Sequence, residues 1–245
     1  MELSDCHGYE VTDADLAFLG LTKEDVARAL SRIRPLGTDE AAFNYFVESL
    51  TLALEAAGLA DCDVRLQGSS AHFFSGSHKP TVWQYAEIFE LFRSLRGRLP
   101  KAFEMRKINE TIDRLWPRQE AKPRVRMFDL VYRLGIDAQP SDIDVQLSSA
   151  MLYERARSLI LGHGLVAEKL HVESLQYGFV RKDIIREVAP VLDFWADEQS
   201  AILGRRVSVA VFNAEGPPDS GNPLLSSHFQ DRDWVLKMEV ATSDV

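Results

Sequence analysis

From Asp142 to Ser148 the chain alternates without a break: Ile143, Val145 and Leu147 are apolar, while Asp142, Asp144, Gln146 and Ser148 are polar. Period-two alternation belongs to a half-buried strand, and such a strand demands a sheet with one covered face. Asp63–Gln67 alternates in the same sense through Val64 and Leu66 and runs into Gly68-Ser69-Ser70, so it reads as a strand closed by a tight turn. Val207–Phe212 is apolar enough for a buried strand, and residues 234–240 read as a last one.

Helical spacing governs most of the remainder. Thr22 is placed to cap a helix with Val26, Ala29, Leu30 and Ile33 on one face, stopped by Pro35. Thr38 is placed to cap another, carrying Phe43, Phe46, Val47, Leu50 and Leu54 and closed by Gly58. Thr81 opens a third with Ile88, Leu91, Phe92 and Leu95, and Pro100 a fourth with Met105, Ile108, Ile112 and Leu115, which Pro117 ends. Residues 149–161 form a fifth, and 180–203 read as helical with an interruption before Pro190. Trp83, Trp116, Trp195 and Trp234 lie in apolar contexts and are read as core.

With 245 residues, 46% hydrophobic and 27% charged, the chain has an ordinary globular composition. No apolar run approaches the roughly 20 residues of a membrane-spanning helix, and Cys6 and Cys62 are too few for a disulfide framework or a Cys-rich zinc site. A cytoplasmic protein without membrane contact is expected. Charge is uneven: residues 78–133 hold 13 Lys and Arg against 7 Asp and Glu, a local +6 inside a chain of net charge -9. Such a segment either attracts phosphate-bearing ligands locally or forms a solvated helical face.

Two carboxylates at positions i and i+2 of a strand share a side, so Asp142 and Asp144 are candidates to hold a pair of divalent ions, magnesium or manganese by their hard oxygen donors. Gly68-Ser69-Ser70 and the small residues after it, Ala71, Ser75, Gly76 and Ser77, would let backbone amides and hydroxyls approach a triphosphate. Lys79 does not stand in the Gly-Lys-Ser/Thr order of a P-loop, which excludes that motif. Ser226-Ser227-His228 lacks the Gly-x-Ser-x-Gly elbow of serine hydrolases, and His163 and His171 lack partners at zinc-ligand spacing.

Gly68-Ser69 after a strand, and Asp142-Ile143-Asp144-Val145 in an apolar frame, resemble the motifs of the nucleotidyltransferase superfamily that includes the DNA polymerase beta-like enzymes and the bacterial cyclic-oligonucleotide synthases. Pro140-Ser141-Asp142-Ile143-Asp144-Val145 is the most specific part, and the resemblance covers residues 63–76 and 139–212. It implies an α+β fold: a nucleotidyltransferase-like mixed sheet with flanking helices over residues 63–245, an N-terminal helical segment over 1–62 and a helical insertion over 79–137. It also implies transfer of a nucleoside monophosphate from a nucleoside triphosphate to a hydroxyl acceptor that the sequence does not identify, whether protein, RNA, small molecule or another nucleotide. Asp142 and Asp144 would be the metal-binding acids, Gly68, Ser69 and Ser70 would cradle the phosphates, and Lys79, Arg124 and Arg126 would offset their charge. The family's third carboxylate sits on the following strand, yet Val207–Phe212 contains no acid. Asp233 is the replacement expected here, with Asp231 and Glu173 as further candidates. The alternative is an inactive nucleotide- or RNA-binding protein on the same scaffold.

Overall fold

The computed structural model describes residues 3–59, 61–76, 79, 81–117, 121–166, 178–217 and 233–236. The chain forms two compact units that do not follow its order: Met1–Leu36 with Gly68–Asp142, and Gly37–Gln67 with Ile143–Val245. The N-terminal helices are therefore shared between the units.

In the first unit, α1 (Asp13–Leu19) and α2 (Lys23–Leu30) each begin with a Thr-x-x-Asp capping box, at Thr12 and Thr22. In both, the Thr hydroxyl accepts the third amide of the helix while the Asp carboxylate reaches back to the Thr amide, so two orphan donors are satisfied at once. A five-residue helix, α4 (Gly68–His72), precedes α5 (Tyr85–Arg96), α6 (Ala102–Leu115) and the single turn α7 (Leu130–Arg133). Helix α5 starts four residues after Thr81, where the sequence placed its opening. Glu87 draws in the Thr81 hydroxyl and the Trp83 and Gln84 amides, so residues 81–84 form a capping loop ahead of the helix. The apolar stripes meet in one core that includes Leu19, Val26, Leu36, Phe73, Ile88, Phe92, Ile108, Trp116 and Phe128. Burying each such side chain contributes about 1.5–3 kcal/mol. Asp15, buried at the edge of this core, accepts hydrogen bonds from the Tyr9 hydroxyl at 2.7 Å and the Trp116 indole at 2.8 Å.

The second unit holds a four-stranded mixed sheet in the order β3-β2-β1-β4, with β1 (Asp63–Gln67), β2 (Ile143–Ser148), β3 (Val207–Phe212) and β4 (Trp234–Leu236). Strand β1 runs antiparallel to β2 and β4, and β2 runs parallel to β3. The parallel step needs a long crossover, which includes α8 (Ala150–Gly162), α9 (Lys182–Val188) and α10 (Pro190–Leu203). Pro190 opens α10 because the first turn of a helix has no use for its missing N–H. The period of two sorts the sheet into two faces. Val64, Leu66, Val145, Leu147, Val211 and Trp234 share the apolar one, against which α3 (Glu40–Ala56) sets Phe43, its ring 5.7 Å from that of Trp234. Phe46 of α3 in turn meets Trp195 of α10 at 4.9 Å, edge to face. Arg65, Gln67, Asp144, Gln146, Ser148 and Ser208 occupy the opposite face. Among the described residues no helix is long and apolar enough to cross a membrane.

Candidate functional site

Asp144 is the second residue of β2 and Asp142 immediately precedes the strand; both are half-buried. The β1–β2 register pairs Asp144 with Gln67, and the β2–β3 register pairs it with Ser208. Facing residues on neighbouring strands point to the same side, so Ser208, Asp144 and Gln67 form a row across three strands at spacings of about 5 Å. The buried Nε2 of Gln67 has no hydrogen-bond partner in this row, nor has that of Gln146 behind it. The position beside Asp144 on the strand that follows is thus a serine.

Gln67 leads directly into Gly68, whose φ of +77° is open to glycine and strained for any residue with a side chain. That backbone lets the chain pass from β1 into α4 within one residue. Ser69 is buried and its carbonyl accepts the Phe73 amide at 2.9 Å. Ser70 is wholly buried, its carbonyl receives the Leu36 amide at 2.8 Å, and its hydroxyl has no partner. Phe73 holds φ at +67°, a left-handed conformation that costs an L-residue about 1–2 kcal/mol. Complete burial of its ring and a 2.7 Å hydrogen bond from the Phe128 amide to its carbonyl offset that cost.

The same pairing organises the segment that carries Lys122, Arg124 and Arg126. Phe74 bridges Met127 in antiparallel fashion, and the Ser75 amide donates to the Arg126 carbonyl at 2.8 Å. The segment that continues from Gly68-Ser69-Ser70 and the segment carrying Arg124 and Arg126 are therefore neighbours within the first unit. Burial pulls the Arg126 guanidinium below its ordinary pKa, and the charge of Asp137 only partly opposes this. Arg124 is exposed, with its amide held by Asp5 at 2.9 Å, and Lys79 is exposed. Lys122 lies over the Trp83 ring, 5.8 Å from its centroid. Arg118 lies outside the described residues.

Asp233 stands just before β4, 4% exposed, with Oδ2 accepting a hydrogen bond from Arg65 Nη1 at 2.9 Å. The same guanidinium donates to Asp63 at 2.6 Å. Burial alone would lower the Arg65 pKa, but the hydrogen bonds and charges of Asp63 and Asp233 raise it overall. Asp231 and Glu173 lie outside the described residues.

Asp142 and Asp144 offer hard carboxylate oxygens, which fit a magnesium or manganese ion that takes its other ligands from water and phosphate. Among the described residues no group of three His, Cys, Asp or Glu side chains is arranged to hold a metal. Two features of this region escape sequence reading. Ser208 is found only through the register of β3. Asp129 and Ser141 exchange hydrogen bonds immediately before Asp142, and nothing in the spacing of twelve residues signals it. In comparisons with known proteins, no family model, curated protein or solved structure matches this chain.

Proposed function

We propose that the chain is a metal-dependent nucleotidyltransferase that moves a nucleoside monophosphate from a nucleoside triphosphate to a hydroxyl acceptor. The observation that carries this reading is the pairing of Gln67 with Asp144. In an antiparallel pair the end of β1 and the beginning of β2 lie side by side, so the sheet of the second unit sets Asp144 beside the residue that leads into Gly68. The bare backbone of Gly68 and the Ser69 hydroxyl bind the terminal phosphates, with Ser70 completing the turn, and Lys79, Arg124 and Arg126 offset the charge that develops on them. Asp142 and Asp144 would hold the magnesium or manganese. Bound there, the ions would screen the triphosphate and lower the pKa of the acceptor hydroxyl. The acceptor hydroxyl gives up its proton to solvent as its oxygen bonds to the α-phosphorus, the bond from that phosphorus to the β-phosphate oxygen breaks, and pyrophosphate leaves.

A second reading is supported by Ser208. The superfamily's third acid is expected on the strand where Ser208 faces Asp144, and the Asp233 carboxylate accepts the Arg65 guanidinium. With only two acids, the chain would bind nucleotide or RNA without turnover. Release of pyrophosphate from labelled nucleoside triphosphates in magnesium, compared between the wild type and Asp144→Asn, tests both readings. The enzyme reading expects release that Asp144→Asn abolishes while the far-ultraviolet circular dichroism of the variant matches the wild type. Calorimetric binding of triphosphate with no pyrophosphate released from any of the four nucleotides would favour the second.

A further inference from the structure

We propose that Asp129 and Ser141 form a clamp that sets the direction of Asp142. The inference rests on the nucleotidyltransferase reading, in which Asp142 is a metal ligand. Asp129 is 3% exposed and adopts φ +56°, ψ 5° just ahead of α7. Asp and Asn enter this left-handed region more readily than other side-chain-bearing residues, though at some cost in conformational energy. The conformation is held by a reciprocal pair of bonds. The Asp129 amide donates to Ser141 Oγ at 2.9 Å, and the Ser141 amide donates to Asp129 Oδ1 at 2.7 Å.

The two bonds act on different parts of Ser141. A carboxylate accepting a backbone N–H makes one of the stronger hydrogen bonds available, and it fixes the peptide plane that enters Ser141. The hydroxyl bond fixes the Ser141 side-chain rotamer. On the other side of Asp142, the Ile143 amide donates to the Arg206 carbonyl at 2.9 Å. Asp142 thus stands between two anchored peptides, and its carboxylate retains little freedom apart from its own side-chain torsions. Asp129 is a positioning residue in this arrangement: it acts on Asp142 through Ser141 rather than by touching a ligand. Groups that orient metal ligands in this way typically account for about 10- to 100-fold in metal affinity.

Three variants of the chain separate geometry from charge. Asp129→Gly tolerates positive φ but removes the acceptor, Ser141→Ala removes the hydroxyl and leaves the backbone alone, and Asp129→Asn keeps both the left-handed tolerance and the Oδ1 acceptor. Manganese affinity is measured by electron paramagnetic resonance, together with amide hydrogen exchange at Ser141 and Asp142. The expected result is that Asp129→Gly and Ser141→Ala each weaken manganese binding about tenfold or more and speed exchange at Ser141, while Asp129→Asn stays close to the wild type on both. Wild-type affinity in Asp129→Gly and Ser141→Ala overturns the clamp alone. So does weakening by Asp129→Asn equal to that by Asp129→Gly, since charge would then be the cause. Failure of the wild type itself to bind manganese overturns the nucleotidyltransferase reading and the clamp together. If Asp129→Gly does not fold, Ser141→Ala and Asp129→Asn decide.

Discussion

Arg65 lies on a strand flanked on both sides by others, its guanidinium on the polar face of the sheet between Asp63 and Asp233. Its fork suits this position, since separate nitrogens reach the two carboxylates. Replacing Arg65 with Met would keep the packing of the stem but leave the charge of Asp233, side chain 4% exposed, without its guanidinium. Removing one partner of a buried ion pair costs about 3 kcal/mol or more. Urea unfolding of Arg65→Met should show a loss of that order, and Arg65→Met combined with Asp233→Asn should recover part of it, because the two changes share one interaction. A loss below about 0.5 kcal/mol, the level of an exposed pair, would mean that the ion pair with Arg65 does not hold Asp233 in place. The sequence shows half of this cluster: Asp63 and Arg65, two residues apart on a strand, are readable as a same-side pair. Asp233 follows 168 residues after Arg65 and no local pattern joins them.

At the scale of elements, the reading from sequence succeeds where one physical rule decides and fails where several compete. Asp63–Gln67 and Val207–Phe212 have the expected bounds, because alternation or continuous apolarity bracketed by turn residues leaves a strand little latitude. Helix α2 begins at its expected cap for a similar reason. Thr38, by contrast, yields the cap of α3 to Asp39, whose carboxylate accepts the Ala42 amide at 2.8 Å. Gly68-Ser69-Ser70, read as a tight turn, continues as a full helical turn to His72 once Phe73 finds a buried site. A further element-level device joins α5 to α6. Glu104, in the first turn of α6, accepts two hydrogen bonds from Arg98 at 2.7 and 2.9 Å and one from the Lys101 amide at 2.7 Å. The Arg98 hydrogen bonds and then the Lys101 amide hold its carboxyl at about 2, below the ordinary 4.5. A carboxyl whose pKa is lower when folded supports the fold above 4.5 and loses that support as pH falls through about 2. A carbon-detected titration of the Glu104 carboxyl should have its midpoint near 2, and Arg98→Gln should move it toward 4.5. A wild-type midpoint already near 4.5 would show that the bridge does not persist in solution.

At the scale of the whole molecule, the chain passes between its two units after Leu36, Gln67 and Asp142. The last two passages fall at Gly68 and Asp142, the motifs on which the proposed chemistry rests. A contiguous N-terminal segment is what a linear reading produces, because caps and periodicity are local signals and carry no information about which distant core a helix joins. Here α1 and α2 supply Leu16, Leu19, Val26 and Ala29 to the core of the first unit, and the chain after them adds Leu36. Deleting residues 1–36 would remove all of these, along with the acceptors that Asp15 offers Trp116 and Asp5 offers Arg124. At about 1.5–3 kcal/mol for each large apolar side chain, the lost burial reaches the 5–15 kcal/mol by which a domain is typically stable. The amides of α5 and α6, whose Ile88, Phe92, Ile108 and Ile112 face the same core, should then exchange with solvent at rates approaching those of an unfolded chain. Hydrogen-exchange mass spectrometry on the truncated chain measures this directly. Undiminished protection in those two helices would mean that the core closes without the N-terminal helices, and that residues 1–36 serve something other than the stability of the first unit.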